Sequence, residues 1–122
     1  MGFPSPAQSY AEQPISLDKV LIQHPQATFF MYAEGYSMIN AYIPPKALLV
    51  VDKSVKASNG DIVVAVVNGE FTVRRLKKNE HTTWLCPANN KYQEIKVTPE
   101  MNMTIRGVVI QIITNPKDVE YV

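Results

Sequence analysis

The stretch from residue 60 to residue 78 constrains the fold of this 122-residue chain more than any other. Two runs rich in β-forming residues flank the pair Asn68-Gly69. A two-residue hairpin loop of type I′ needs a positive φ at both of its positions, and asparagine followed by glycine meets that need best. The pair therefore predicts a β-hairpin. Its register pairs Val67 with Glu70, Ala65 with Thr72, and Val63 with Arg74.

Strand alternation divides the side chains of this hairpin between two faces. The more apolar face predicts the protein core and carries Ile62, Val64, Val66, Phe71 and Val73. The opposite face carries smaller and more mixed side chains, namely Val63, Ala65, Val67, Thr72 and Arg74. We therefore expect Arg74 to project over a shallow, partly apolar floor.

Further β-rich segments, each bounded by turn residues, predict short strands around the hairpin. They are Thr28–Tyr32, Leu48–Asp52, Thr82–Cys86, Gln93–Val97 and Met103–Thr114. The pair Arg106-Gly107 interrupts the last run and predicts a bulge or bend there.

Little of the chain predicts helix. Ser16 can cap one short helix over residues 17–23, with Leu17, Val20 and Leu21 as its inner face. Residues 1–14 hold three of the nine prolines and predict an extended or flexible N-terminal arm. Residues 15–122 then predict a mostly β, compact, curled antiparallel domain.

Composition excludes several function classes. A net charge of +1 gives no global preference for nucleic acid or membranes. The single cysteine, Cys86, excludes an internal disulfide, and His24 and His81 belong to no ligand-spaced cluster, so no metal or cofactor is expected. The basic run at residues 74–78 splits between two strand faces, which favours a solvated strand end over a nucleic-acid site. No apolar run is long enough to span a membrane and no signal peptide is present, so we expect a cytoplasmic protein.

A candidate nucleophile follows the first predicted strand. In Gly35-Tyr36-Ser37-Met38, a glycine ahead of the serine allows a sharp turn that presents the hydroxyl. By itself, a serine in such a turn is more often a cap than a nucleophile.

Five motifs in order strengthen the catalytic interpretation. They are Gly35-Tyr36-Ser37-Met38, Leu48-Leu49-Val50-Val51-Asp52, Asn59-Gly60-Asp61-Ile62-Val63, Gly69-Glu70-Phe71-Thr72-Val73-Arg74-Arg75-Leu76 and Gly107-Val108-Val109-Ile110. Together they resemble the LexA-type self-cleaving serine peptidase domain. Residues 2–7 and 21–25 are similar to the UmuD branch of that family, whose members act in SOS mutagenesis, so the resemblance implies the LexA/UmuD C-terminal fold.

The resemblance also implies residue roles. In this family a serine in a Gly-Asp-Ser-Met turn is the nucleophile, a lysine at the end of the Phe-Thr-Val strand is the general base, and cleavage falls in the protein's own N-terminal arm. Ser37 takes the nucleophile position and Arg74 the general-base lysine position, while Tyr36 replaces the aspartate. The chain starts at Met1-Gly2, where the processed family product starts. We therefore expect a naturally short homologue or an engineered truncation.

The size of the pKa shift that an arginine would need indicates that Arg74 cannot act as the base. A lysine with a pKa of about 10.4 needs a fall of roughly 3.4 units to be half neutral at pH 7, and burial shifts lysines by about 3–5 units. Arginine, at about 12.5 or above, stays protonated in proteins. Lys77 points to the opposite face, and Lys78 lies about 13 Å further along the strand. We therefore expect a degenerate Ser-Lys dyad.

Three functional hypotheses follow. The favoured one is a non-proteolytic accessory subunit; the resemblance implies a homodimer that binds a UmuC-type DNA polymerase, with RecA-coated single-stranded DNA and the sliding clamp as wider partners. The second is an active LexA-type peptidase that cuts in trans, and the third is a small β binding module unrelated to mutagenesis. The runs 62–67 and 107–113 are nearly continuous in apolar residues and can leave apolar surface for a dimer interface, for which Phe71 and the strand 107–113 are the first candidates.

Overall fold

The computed structural model describes residues 14–118 and contains one seven-stranded antiparallel sheet. The strands are β1 (Thr28–Tyr32), β2 (Leu48–Asp52), β3 (Ile62–Val67), β4 (Glu70–Lys78), β5 (Thr83–Cys86), β6 (Ile95–Lys96) and β7 (Met103–Ile113). Their spatial order is β1-β2-β7-β3-β4-β5-β6. The mostly β, antiparallel class predicted from the sequence is confirmed, with β6 shorter than expected. The predicted N-terminal arm lies outside the described residues except for Pro14.

The hairpin forms as its turn chemistry predicts. Asn68 and Gly69 have φ values of 50° and 88°, so both occupy the left-handed region that a type I′ loop requires. The predicted register is confirmed, since Val63 lies opposite Arg74. Arg74 therefore occupies a fixed place on β4.

The sheet buries side chains on both faces, so the smaller and more mixed face of β3 is also part of the core. Val64 belongs to one apolar cluster with Met38 and Leu49, but Val63 and Ala65 are also fully buried, in a second cluster with Leu85. Phe71, predicted as core, is 62% exposed. The curled sheet covers the second face of β3, whereas Phe71 belongs to neither cluster.

Two irregularities bend β7 where it crosses the centre of the sheet. The pairing with β3 shifts so that Arg106 has no partner, which confirms the predicted bulge beside Gly107. A second shift, in the pairing with β2, leaves Ile110 unpaired. A Cβ on Gly107 would lie 2.7 Å from Val51 Cγ1 and 3.0 Å from the carbonyl oxygen of Asp52. Glycine is therefore required here by close backbone approach.

The segment before β1 differs most from its prediction. The helix α1 spans only Leu17–Leu21, and Leu17 and Val20 are 64% and 68% exposed rather than forming an inner face. Ser16 makes no capping bond to the backbone and instead donates to Asp18 Oδ1 at 2.5 Å. A five-residue helix makes few hydrogen bonds of its own, so the segment depends on contacts outside the helix. Among residues 14–118, no helix is long and apolar enough to cross a membrane.

Candidate functional site

The turn after β1 presents Ser37. Gly35 has a φ of +71°, which L side chains rarely adopt, and it reverses the chain directly before the serine. Met38 is buried in the first apolar cluster, and its carbonyl accepts bonds from the amides of Ala41 and Ile43. The buried methionine fixes the backbone, so the preceding side chain is directed outward.

A second segment, residues 88–89, holds this turn through hydrogen bonds. The amide of Ala88 donates to the carbonyl of Ser37 at 2.8 Å, and Asn89 Nδ2 donates to the carbonyl of Tyr36 at 2.9 Å. The amide of Asn40 in turn donates to the carbonyl of Ala88 at 2.8 Å. Residues 87–90 lie between two of the predicted strands, and the sequence did not indicate Asn89, because a side chain that bonds the backbone 53 residues away leaves no signal in local spacing.

The structure brings Ser37 and Arg74 together. Arg74 Nη1 donates to Ser37 Oγ at 2.8 Å and to the carbonyl oxygen of Val73 at 2.7 Å. The side chain at the base position, Arg74, therefore donates a hydrogen bond to the serine hydroxyl. It cannot accept the proton that a nucleophilic serine must lose.

The environment of Arg74 is partly desolvated. Burial lowers the pKa of the Arg74 guanidinium from its ordinary value, and the nearby Tyr92 hydroxyl opposes that shift. Even so, the guanidinium stays protonated, because the usual pKa of arginine lies far above neutral pH. Within residues 14–118, no carboxylate lies within 4 Å of it, and its buried Nε has no hydrogen-bond partner.

A groove of about 410 Å³ runs past this pair. We call it the Ser37 groove. Its walls come from the end of β1, the serine turn and the start of β4, and it is lined by Met31, Tyr32, Ala33, Glu34, Gly35, Tyr36, Ser37, Met38, Ile43, Phe71, Thr72, Val73, Arg74 and Tyr92. Tyr36 occupies the position of the family's aspartate. Its backbone carbonyl, not its side chain, accepts the hydrogen bond from Asn89 that holds the turn.

The other basic and titratable candidates lie apart from the groove. Lys77 places its ammonium 5.3 Å from the ring centre of Trp84, and Lys78 lies at the far end of β4. Cys86, partly buried in β5, has a raised pKa because burial disfavours its thiolate and Glu94 adds to the effect. Residues 14–118 hold no group of three or more His, Cys, Asp or Glu side chains that could bind a metal.

Sequence reasoning treated His24 as isolated, but its Nδ1 lies 2.5 Å from Asp52 Oδ2. Asp52 is only 1% exposed, and its Oδ1 accepts bonds from the amide and the hydroxyl of Ser54. These Ser54 bonds, followed by His24, lower the pKa of Asp52 to about 2. The pair joins the segment before β1 to the end of β2, outside the groove.

Comparison with known proteins places these features in a family. The sequence profile of the peptidase S24-like family matches residues 1–110. The chain is 43% identical over 117 residues to Protein ImpA of Salmonella typhimurium (96% of this chain, 79% of the relative) and 41% identical over 109 residues to Protein MucA of Escherichia coli (88% and 74%). It is 36% identical over 115 residues to the LexA repressor of Shewanella oneidensis, covering 93% of this chain and 55% of that repressor. The resemblance to LexA-type serine peptidases is confirmed, and the chain belongs to the peptidase S24-like family.

Proposed function

We propose that this chain is a non-proteolytic, UmuD-like accessory subunit of SOS mutagenesis. In this role it forms a homodimer and binds a UmuC-type Y-family polymerase to support error-prone translesion synthesis. RecA-coated single-stranded DNA and the sliding clamp are its wider partners. Family membership and the similarity to ImpA and MucA support the SOS assignment.

One observation supports the loss of proteolysis. The hydrogen bond from Arg74 Nη1 to Ser37 Oγ puts a permanent donor where a serine–lysine dyad needs an acceptor. The turn that presents the serine keeps its glycine, its buried methionine and the hydrogen bonds from residues 88 and 89, although Tyr36 replaces the family's aspartate. A folded serine turn without a base is suited to holding partners.

The dimer is supported by exposed apolar surface. Phe71 is 62% exposed at the hairpin end, and Ile113 at the end of β7 is 41% exposed. Both edges of β7 are already paired, so the strand 107–113 can contribute to an interface only through side chains. We expect sedimentation to show a dimer in the micromolar range, and a monomer throughout that range would contradict the dimer.

The proteolytic part is tested in trans. The substrate is an unprocessed UmuD whose own catalytic lysine is changed to alanine, so that it cannot cleave itself. We expect no shortened product from the wild-type chain at mildly alkaline pH. Product that appears with the wild-type chain and disappears with Ser37→Ala would contradict the proposal and favour an active peptidase.

The partner is tested separately, by co-purification of tagged chain with a UmuC-type polymerase. Retention of the polymerase by the dimer is expected. Failure to retain it, together with absence of cleavage, would favour the third hypothesis, a β binding module unrelated to mutagenesis.

A further inference from the structure

Arg74 lines the Ser37 groove, and its guanidinium has donors that no group among residues 14–118 accepts. Arginine carries five N–H groups, and Ser37 Oγ and the Val73 carbonyl occupy two of them. Nε is buried without a partner, and Nη2 makes no hydrogen bond to any residue in the range 14–118. The ion pairs in that range join His24 to Asp52 and His81 to Glu80, so Arg74 has no counter-ion there.

An unpaired, partly desolvated cation is unfavourable for a folded protein. A charge removed from water needs hydrogen bonds and an opposite charge to offset its lost hydration. Arginine is also the side chain best shaped to hold a carboxylate through two parallel bonds. The charge of this groove is therefore complementary to an anion.

The backbone beside Arg74 indicates what kind of molecule carries that anion. β4 pairs with β3 along Glu70–Arg74, but its pairing with β5 starts only at Arg75, so one edge of this stretch faces the groove. Leu76 directs its amide and carbonyl toward residues 60 and 61, on the β3 side. Because backbone groups alternate along a strand, those of Phe71 and Val73 point to the edge that β5 leaves unpaired, where the Val73 carbonyl already accepts a bond from Arg74 Nη1. An extended peptide can pair with such an edge.

The groove also offers apolar contacts along that edge. Phe71 is largely exposed, and Met31 and Val73 also line the groove. A peptide lying there meets apolar surface next to a cation.

We propose that the Ser37 groove binds an extended segment of a partner protein, in which an acidic side chain flanked by apolar residues pairs with Arg74. This inference rests on the proposed function, because it assigns a use to a cleft that has lost its base. It departs from the role that the resemblance implies, in which the cleft holds the protein's own scissile segment. The arginine changes both the chemistry and the selectivity of the site.

Blocked peptides test this selectivity. The probes are acetyl-Thr-Val-Glu-Val-Thr-amide and the same peptide with glutamine in place of glutamate, here called its glutamine twin. The two differ only in one side-chain charge. A third peptide, the glutamine twin with a free C-terminal carboxylate, separates an acidic side chain from a chain end. Binding is followed by NMR of the full chain carrying ¹⁵N-labelled arginine, through the side-chain signals of Arg74.

We expect the glutamate peptide to bind at least about tenfold more tightly than its twin, because a charge-assisted pair replaces a neutral contact. Arg74→Gln should abolish that preference. The matched control is Arg75→Gln, since Arg75 is exposed and does not line the groove. It should keep the preference, and thermal melting verifies that both variants are folded.

Equal binding of the two blocked peptides, or no binding of either up to millimolar concentration, would overturn the inference. Preference for the free C-terminal carboxylate alone would also overturn it, because the proposal specifies an acidic side chain. Mass spectrometry of the peptides after titration distinguishes this failure from that of the proposed function. Cleaved peptide contradicts the loss of proteolysis, whereas intact and unbound peptide contradicts only the acidic partner.

Discussion

Two polar pairs in this domain differ in how completely their bonding groups are satisfied. In the first, the Asp52 carboxylate is buried and accepts bonds from Ser54 on one oxygen and faces His24 on the other. In the second, Arg74 bonds Ser37 but keeps a buried nitrogen without a partner and has no counter-ion within residues 14–118. The Asp52 pair is closed, since both carboxylate oxygens have partners within the domain, and it stabilises the local structure. The Arg74 pair is open and lines the Ser37 groove, and the binding proposal rests on this difference.

The largest effect is expected from restoring a base to the open pair. Arg74→Lys should raise cleavage of the lysine-deficient UmuD substrate at least about 100-fold above the wild-type background, since a positioned base contributes about 10²–10⁴-fold. The rate should increase with pH as the lysine loses its proton. Gel analysis of the shortened product measures it.

Arg75→Lys is the control for that gain and should leave cleavage at background. No gain from Arg74→Lys at any pH up to about 10, in a variant that is folded, would mean that the missing base is not the main defect. Tyr36 in the serine turn would then be the next residue to change.

The second-largest effect is expected from adding a methyl group where β7 packs closely against the backbone of Asp52. Gly107→Ala places a methyl group against Val51 and the Asp52 backbone, where neither can withdraw freely. We expect a loss of about 1–3 kcal/mol in the free energy of unfolding, the usual cost of overpacking. Urea denaturation measures it, and an unchanged midpoint would contradict the packing described for β7.

The closed pair predicts a smaller effect and a pH dependence. Ser54→Ala removes one of two bonds to Asp52 Oδ1 and should cost about 1 kcal/mol at neutral pH. Because the pKa of Asp52 is depressed to about 2, the stability from its charge is present above the unfolded pKa of about 3.9 and lost as pH falls toward 2.

Melting temperatures measured between about pH 5 and pH 2 test this sign. The wild-type protein should lose stability over that window, and Asp52→Asn should flatten that part of the curve. An unchanged slope in Asp52→Asn would show that other carboxylates control the acid response.

The smallest effect sharpens the contrast between the pairs. Arg74→Met replaces a cation that has no counter-ion within residues 14–118 with an apolar side chain of similar length. It should lower the unfolding free energy by less than about 1 kcal/mol, or raise it, because no ion pair among those residues is broken. A loss of more than about 2 kcal/mol would show that Arg74 is structural, as Asp52 is.

Turn chemistry explains why the strands were predictable. The bounds of β1 and β2, the Asn68-Gly69 loop and the bulge at Arg106 all follow from local residue types, and all are confirmed. Burial was less predictable, because it depends on how the sheet curls. Val63 and Ala65 are buried by strands that follow later in the chain, while Phe71, although apolar, is exposed and belongs to neither cluster.

The site was predictable only in part, for the same reason. Family motifs indicated Ser37 and Arg74, which the structure brings together. Asn89 and the His24–Asp52 pair were missed because their partners lie 53 and 28 residues away in the sequence. The helix face predicted for α1 was wrong, since five residues do not make a stripe that the sheet can cover.

The protonation state of Arg74 tests the central claim most directly. With ¹⁵N-labelled arginine, the Nε and Nη resonances of Arg74 can be followed between about pH 6 and pH 10, with Arg74→Lys used for assignment. We expect no titration step, and we expect slowed exchange of the Nη1 protons that bond Ser37 Oγ and the Val73 carbonyl. A titration of Arg74 within that range would make it a possible base and would contradict the account of a protease scaffold that has become a binding subunit.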